Sequence, residues 1–264
     1  MSLTGKTLSA TYKDILQMDS SNNGIGVTVV QVRDGEGTKS AIAISDDHLM
    51  VRPTNDNTSS TFHVRTVAGD SVLIVDTTDE LVTASGNIVN TQYATFSIGS
   101  SETTNFVDDT HHPIPFASAN YASLLSGYIP VFGTSTDPAT TFTTADANGT
   151  RAAELVPVLW RLPDAISIDS VTSIEGADTA TGDTTRMHLF SYDFTSGSTS
   201  ALTSGTLLAH NSDVTNAGSE QAYLSSWTVD SAAVAAGKVI LAFFKSDSIS
   251  SDYSVNITVK YHLT

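Results

Sequence analysis

The stretch "DDTHHP" at residues 108–113 brings two carboxylates and two imidazoles close together in the chain. Asp108, Asp109, His111 and His112 carry side chains that Zn²⁺ and Ni²⁺ accept as ligands. The sequence therefore offers these four residues as candidate metal ligands. The alternative interpretation is a polar loop that leads into a proline-rich connector, since four of the seven prolines lie between residues 113 and 138.

Three other patterns resemble catalytic or ligand-binding motifs, but each lacks a required part. "TGKT" at residues 4–7 ends like a phosphate-binding loop, yet the earlier glycine of that motif is missing. Ser, His and Asp are abundant, but no G-x-S-x-G elbow presents a nucleophile. "DSSNNG" at residues 19–24 has turn chemistry without the spaced acidic ligands and final Glu of a calcium loop. We therefore expect no catalytic residue, no enzymatic activity and no bound cofactor.

Some residues have both a structural and a functional interpretation. The pair Asp46–Asp47 resembles the two carboxylates of a glycosidase, but we interpret it as a solvated turn. Trp160 and Trp227 lie in strand-like stretches, and we interpret both as core residues rather than as platforms on which sugars stack. "NGT" at residues 148–150 fits the N-glycosylation pattern and is interpreted as an ordinary loop.

The charge of the chain limits its partners. It has 12 basic and 28 acidic residues among 264, which gives a formal net charge of −16. Nucleic-acid surfaces need clustered Lys and Arg to displace counterions, so we expect no nucleic-acid partner. No stretch approaches the run of about 18 apolar residues that spans a membrane, so we expect no membrane insertion. The first residues also lack the apolar segment of a signal peptide.

The composition and the spacing of apolar residues predict an all-β protein. Charged residues make up only 15% of the chain, and Ser and Thr, which favour turns and strands, are frequent instead. In residues 1–45 we predict an N-terminal anchoring arm and a hairpin that turns at "DGEG" (34–37). In residues 46–98 the apolar residues come in groups of two to four, which predicts an oligomerisation region of short strands. These strands are predicted at Leu49–Val51, Thr61–Val64, Ser71–Val75, Leu81–Thr83 and Asn87–Val89.

The second half of the chain predicts a connector and a sandwich. Residues 99–150 are the predicted connector, within which residues 119–128 have the pattern of one or two helical turns. Residues 151–264 contain seven strand-like stretches, which is typical of a β-sandwich or jelly roll. The best helix candidate, Ser231–Ala236, is closed by Gly237, and we expect it to be a short turn between two strands.

The short strands of residues 46–98 pose an energetic problem. A four-residue strand buries about two side chains on one face, at about 1.5–3 kcal/mol each, which roughly balances the entropy of ordering the strand and its turn. A monomer therefore cannot stabilise this region alone, and symmetric association of identical copies is the common solution. We expect a homotrimer in which three copies form a triangular β-prism or stalk. On the trimer axis, one histidine of "DDTHHP" per copy would supply three metal ligands.

Several stretches resemble structural proteins of tailed bacteriophages, marine phages in particular. They are "TYKDILQMDSSNNGI", "VRDGEGTKSAIAISDDHLMV", "VNTQY", "FSYDF", "LTSGTLLAH", "SWTVDSAAVAAGKVILAFFKSD" and "SVNITVKYHL". The resemblance is one of compositional pattern and covers most of the chain. It implies a trimeric component of the virion surface, such as a head fibre, capsid decoration or tail fibre, made in the bacterial cytoplasm and released by lysis. It implies no catalytic residue.

The strand pattern and the resemblance lead to one expected function and two alternatives. We expect a non-enzymatic capsid decoration or head fibre that binds the capsid lattice and projects its C-terminal β-sandwich outward. The first alternative is a tail fibre or receptor-binding protein of the same build. The second alternative, from another class, is a carbohydrate-binding or carbohydrate-active module. The expected partners are other copies of the chain, phage capsid or tail proteins and, for the alternatives, a host surface glycan.

Overall fold

The structure is a computed structural model that describes residues 16–20, 23–99, 110–117, 132–134, 142–144, 152–178, 181–218, 220–247 and 252–264. The protein is all-β, with 54% of the described residues in strands and 3% in helix, which confirms the predicted fold class at that level. The chain divides into two compact units, Met1–Val89 and Asn90–Thr264, here called the front unit and the second unit. Among the described residues, no helix reaches the length and apolarity that crossing a membrane requires.

The front unit contains two four-stranded antiparallel meanders, in which each strand pairs with the next along the chain. The first meander consists of β1 (Gln17–Met18), β2 (Val30–Arg33), β3 (Lys39–Ile44) and β4 (Leu49–Val51). The second consists of β5 (Phe62–Arg65), β6 (Ser71–Asp76), β7 (Leu81–Ala84) and β8 (Asn87–Ile88). The predicted hairpin and the predicted series of short strands are therefore both present.

Turn residues set the first of these hairpins. The carboxylate oxygen Oδ1 of Asp34 accepts hydrogen bonds from the backbone N–H groups of Glu36 at 2.9 Å and Thr38 at 2.8 Å. Gly37 has a φ of 90°, which a residue with a side chain rarely adopts. The backbone hydrogen bond from Thr38 is the largest of the effects that lower the pKa of Asp34. The sequence "DGEG" thus folds locally, without support from a core.

Burial is almost absent from the front unit. Among its described residues only Ala43 is buried, at 5% exposure. Large apolar side chains remain exposed on both meanders, with Leu49 at 66% and Val67 fully exposed. The strands therefore form by pairing their backbones, while the apolar side chains that should stabilise them stay in contact with solvent.

The second unit is built from two antiparallel sheets and very little helix. The larger sheet has the strand order β11-β10-β20-β14-β15-β18, with β12 beside β20 and β16 beside β14. The smaller has the order β17-β13-β21-β9, with β19 beside β13. The strands are β9 (Thr91–Gly99), β10 (Thr110–Ile114), β11 (Phe132–Thr134), β12 (Trp160–Arg161), β13 (Ile166–Asp178), β14 (Thr184–Tyr192), β15 (Thr206–His210), β16 (Val214–Thr215), β17 (Glu220–Ser226), β18 (Thr228–Val229), β19 (Ala233–Val234), β20 (Val239–Ser246) and β21 (Asp252–Leu263). The described helical residues are α1 (Ala152–Leu155) and a 3₁₀ turn (Val156–Val158).

The two sheets pack face to face around the larger of two hydrophobic cores. The smaller sheet contributes alternate residues of β9 and β21, because successive side chains of a strand point to opposite faces. The buried residues at the centre of this core are Phe96, Ile257 and Val259 from the smaller sheet and Met187, Leu189 and Ile240 from the larger one. Strand β21 alternates in this way, with Val255, Ile257 and Val259 inward.

The outer face of the larger sheet is covered as well. A second core joins β14 and β20 to α1, the 3₁₀ turn and the segment around Leu202. Its largest members are Leu155, Phe190, Tyr192, Leu241 and Phe243. Strand β20 is therefore buried on both faces, and its sequence "VILAFF" is a continuous apolar run for that reason.

Two local predictions need correction. The helix candidate Ser231–Ala236 contains the short strand β19, which pairs with β13, although Gly237 does have the positive φ, 83°, of a turn. Conversely, "AELVPVLWRLP", the first of the seven strand-like stretches, begins with α1 and the 3₁₀ turn, where Pro157 occupies an early position. Pairing with β13 makes residues 233–234 a strand. The rigid ring of Pro157 favours the 3₁₀ turn.

The boundary between the units also lies earlier than the division expected at residue 98. Strand β9 pairs with β21 along nearly its whole length, from Thr91 opposite His262 to Gly99 opposite Ser254. Residues 91–99 therefore belong to the second unit rather than to the short-strand region. Residues 119–128, for which helical turns were predicted, lie outside the described residues.

A buried polar network crosses the larger core. Glu175, 6% exposed, accepts hydrogen bonds from the hydroxyls of Ser173 at 3.0 Å and Thr185 at 3.3 Å, and from the amide of Asn211 at 3.4 Å. The indole N–H of Trp227 donates to the Ser173 hydroxyl at 2.9 Å. Ser173 therefore satisfies two buried groups at once, and these bonds join the two sheets.

Replacing Ser173 with alanine should destabilise the second unit. The change leaves the buried indole N–H of Trp227 without its acceptor and removes one donor to Glu175, which should cost about 1–3 kcal/mol of unfolding free energy. Urea unfolding followed by tryptophan fluorescence measures this loss. The matched control is Ser170→Ala, an exposed serine of the same strand, which should change stability by less than about 0.5 kcal/mol. Equal effects of the two substitutions would contradict the role of Ser173.

Candidate functional site

The candidate metal ligands fall into two groups. His111 and His112 lie on β10, at 0% and 1% exposure, while Asp108 and Asp109 lie outside the described residues. As neighbours on a strand, the two histidines point to opposite faces of the sheet, so they cannot both face one ion from the same chain. The described part of the chain contains no cluster of three or more side chains placed to bind a metal. The four-residue site therefore stays a prediction.

The alternative interpretation of residues 110–113 as a polar loop is wrong. These residues belong to β10, which pairs with β20, so that His112 lies opposite Phe244 and Pro113 opposite Phe243. Strand β10 lies beside β20, which is between the two cores of the second unit. Both faces of β10 are therefore covered, and all of its residues are buried. Histidine is apolar enough in its neutral form to occupy such a strand.

A row of three histidines crosses the outer face of the larger sheet. The ring of His188 lies 6.1 Å from that of His111 and 6.4 Å from that of His210, measured between ring centres. The Phe243 ring stacks on His188 at 5.5 Å and meets His111 edge-on at 5.2 Å. Sequence analysis identified His111 but missed His188 and His210. Pairing of β14 with β15 places these two opposite each other.

His188 is the electrostatically unusual member of this row. It is 1% exposed, and its Nδ1 atom has no hydrogen-bond partner. Burial, followed by repulsion from His111, Arg186, His210 and Lys245, lowers the pKa of His188 from 6.5 to about 2. His188 is therefore neutral in the folded protein at all ordinary pH values.

His210 has a different environment at the exposed end of the row. Its Nδ1 atom lies 2.8 Å from the carboxylate oxygen Oδ2 of Asp230, and both side chains are about 30% exposed. A carboxylate beside one ring nitrogen fixes the orientation of the imidazole. The row thus includes a carboxylate-paired ring, His210, near the surface and a buried ring, His188, whose Nδ1 atom has no hydrogen-bond partner.

The remaining sequence candidates have structural roles or lie outside the described residues. Asp46 and Asp47 are exposed in a turn, as predicted, and the Asp47 N–H donates to Asp46 Oδ1 at 3.1 Å. Trp160 and Trp227 are each 7% exposed, so both are core residues. "TGKT" at residues 4–7 and "NGT" at residues 148–150 lie outside the described part of the chain.

The second meander offers a surface that could bind another protein. Six apolar side chains share one face of β5, β6 and β7, and we call this set the apolar face. It consists of Phe62, Val64, Leu73, Val75, Val82 and Ala84. Two rows cross the sheet: Phe62 lies opposite Val75, which lies opposite Val82, and Val64 lies opposite Leu73, which lies opposite Ala84. Phe62, Val64 and Val82 are 42%, 40% and 39% exposed.

The opposite face of these strands has a different character. His63, Ile74 and Thr83 lie opposite one another, and Asp76 lies opposite Leu81. Polar and apolar side chains are therefore mixed there. The meander therefore has one wholly apolar face and one mixed face.

No protein-family model matches the chain, and a search among curated proteins finds no match either. The geometry described above and the pattern of the sequence are therefore the basis for a functional proposal.

The histidine row predicts acid sensitivity of the second unit. Because the folded-state pKa of His188 is below that of the unfolded chain, unfolding takes up a proton between about pH 6.5 and pH 2. The stability contributed by neutral His188 is complete above pH 6.5, and falls by about 1.4 kcal/mol for each pH unit below it. His188→Leu should therefore gain about 2–3 kcal/mol relative to the wild type between pH 6.5 and pH 4.5. Urea unfolding at the two pH values measures the difference.

The control for this experiment is Phe190→Leu, a change on the same face of β14 that involves no titrating group. It should lower stability by a similar amount at both pH values. If the profiles of wild type and His188→Leu run parallel, then burial of a neutral imidazole does not cause the acid sensitivity.

Proposed function

We propose that the protein is a non-enzymatic structural component of a tailed-phage virion surface, a homotrimeric capsid decoration or head fibre. In this proposal the front unit assembles and binds the capsid lattice, and the second unit projects outward as a jelly-roll-like sandwich. The chain is made in the cytoplasm of the bacterial host and leaves by lysis. The resemblance of its sequence to tailed-phage structural proteins gives the class.

The observation that carries the proposal is the missing core of the front unit. Ala43 alone is buried among its described residues, although apolar side chains alternate along its strands. A layer of strands needs a second layer to bury its apolar face. Identical copies supply such a layer in symmetric oligomers, and a β-prism of three copies would enclose all three apolar surfaces. This supports an assembled protein rather than an isolated monomer.

The second unit supports the outward-projecting role. It has two hydrophobic cores of its own, so it can fold without help from other copies. Residues 90–264 contain six basic and seventeen acidic side chains, so the unit has a net negative charge. A net negative surface keeps such a domain soluble and separates neighbouring copies on a crowded shell.

A tail fibre or receptor-binding protein of the same build remains the alternative, and position on the particle separates it from the first proposal. Dozens to hundreds of copies per particle indicate the head, while a handful indicate the tail. A carbohydrate module is the other alternative. Turnover of a polysaccharide, or binding to a host glycan without any association with particles, would favour it.

The purified full chain should have a native mass of about 83 kDa, three times the 27.7 kDa of one copy. Native mass spectrometry at micromolar concentration measures this. Phage particles that carry the chain should then contain dozens or more copies, counted by quantitative mass spectrometry and located by gold labelling on the head. A 27.7 kDa species with intact β-structure, or absence of the chain from DNA-filled particles, would overturn the proposal.

A further inference from the structure

The carboxylate of Glu175 is a buried acidic group without a positive partner among the described residues. Its hydrogen-bond donors are the hydroxyls of Ser173 and Thr185 and the amide of Asn211, which are all neutral. The ion pairs in the described part of the second unit involve other carboxylates. The hydrogen bonds satisfy the oxygen atoms of Glu175, but they bring no positive charge, and buried charges are normally paired.

A small cavity in the second unit adjoins this carboxylate. Glu175 near the end of β13 and Thr185 near the beginning of β14 line the cavity together with Asn216, while Phe244 and Val255 form part of its apolar wall. The cavity has room for about one water molecule or one ion of similar size. An ion in this cavity would lie between side chains of the two sheets.

The side chain of Asn216 gives a second, independent sign of a ligand. Asn216 is 4% exposed and lines the cavity, yet no described residue forms a hydrogen bond with its side-chain amide. The hydroxyls of Tyr223 and Tyr253 also line the cavity, but they donate to the carbonyl oxygen of Thr215 at 3.3 Å and to the carboxylate of Asp183 at 3.1 Å. Buried amides normally have a partner, so an occupant of the cavity would supply the one that Asn216 lacks.

We propose that this cavity binds one small monovalent cation, such as Na⁺, between the carboxylate of Glu175 and the amide oxygen of Asn216. The hydroxyl oxygen of Thr185 is the other side-chain ligand that the cavity offers. A water molecule in the same place would satisfy Asn216 but would bring no charge to Glu175. The inference concerns the second unit alone and does not depend on the proposed trimer.

The number of charged ligands favours a monovalent ion. One carboxylate matches one positive charge, and the Thr185 and Asn216 side chains are neutral. The described residues contain no group of three or more acidic or histidine side chains of the kind that binds Ca²⁺ or Zn²⁺. The cavity also has no room for the additional water ligands with which a divalent ion completes its shell.

The salt dependence of unfolding measures this binding, because a ligand of the folded state alone lowers the equilibrium constant for unfolding. The full chain is unfolded with urea in sodium chloride and in tetramethylammonium chloride at the same concentration, since tetramethylammonium is too large for the cavity. Trp160 and Trp227, the two tryptophans of the chain, lie in the second unit, so their fluorescence follows this unit. With a Kd of about 20 mM, about 0.2 M sodium should lower the unfolding constant about tenfold.

Three variants locate the effect. Glu175→Gln removes the charge and keeps the shape of the side chain, so the sodium effect should fall from about tenfold to less than about twofold. Asn216→Ala removes an amide that no described residue bonds, and it should reduce the sodium effect as strongly. The matched control is Glu220→Gln, the same substitution at an exposed position of β17, which should keep the full effect.

The measurements decide the proposal even where one variant fails to fold, because Asn216→Ala and Glu175→Gln report separately. Potassium and ammonium chlorides, used in the same way, identify the cation: an effect larger than that of sodium, lost in the same variants, supports the site and names its occupant. If none of the three cations stabilises the wild type relative to tetramethylammonium, the cavity binds no cation and the proposal is overturned. A sodium effect that persists undiminished in Glu175→Gln or in Asn216→Ala overturns it as well.

Discussion

Every strand layer in this protein must cover its apolar face, and the two units meet that requirement differently. In the second unit, two sheets face each other and α1 with its neighbouring turn covers the outer side of the larger sheet. In the front unit, each meander is a single layer, and Ala43 is the one buried residue among those described. Hydrophobic burial is the main favourable term in folding, so a layer without a cover is incomplete as a monomer. The proposals for assembly follow from this contrast.

Complete burial in the second unit has its own consequence, because polar groups are buried along with the apolar ones. Glu175 keeps its hydrogen bonds through Ser173, Thr185 and Asn211, so its burial is compensated. His188 has no partner for Nδ1 and is accommodated by losing its charge. The first arrangement joins the sheets, and the second makes the stability of the unit depend on pH. His188 is buried because β14 lies between the two cores, whereas Glu175 lies on β13 of the smaller sheet.

The division of labour between the units suits a particle component. A domain that folds by itself can be presented on a surface. A second region, which folds fully only when copies associate, can hold it there. Under the proposed function the front unit would assemble where copies are concentrated, since association depends on concentration whereas the folding of the second unit does not. Short tight turns such as "DGEG" preform the hairpins, so that only the contact between faces remains to be made.

The sequence by itself determined the all-β class, the short strands of the front unit, the turn at Asp34 and the alternation of β21, because these depend on residues close together in the chain. It also indicated that Trp160 and Trp227 are core residues. The tertiary structure alone decided that residues 110–114 form a buried strand, that β19 within Ser231–Ala236 pairs with β13, and that β9 pairs with β21. It alone brought His111, His188 and His210 into one row, and it sorted the residues of β5, β6 and β7 into an apolar and a mixed face. Strand register depends on which distant segments pair, and no local pattern specifies that choice.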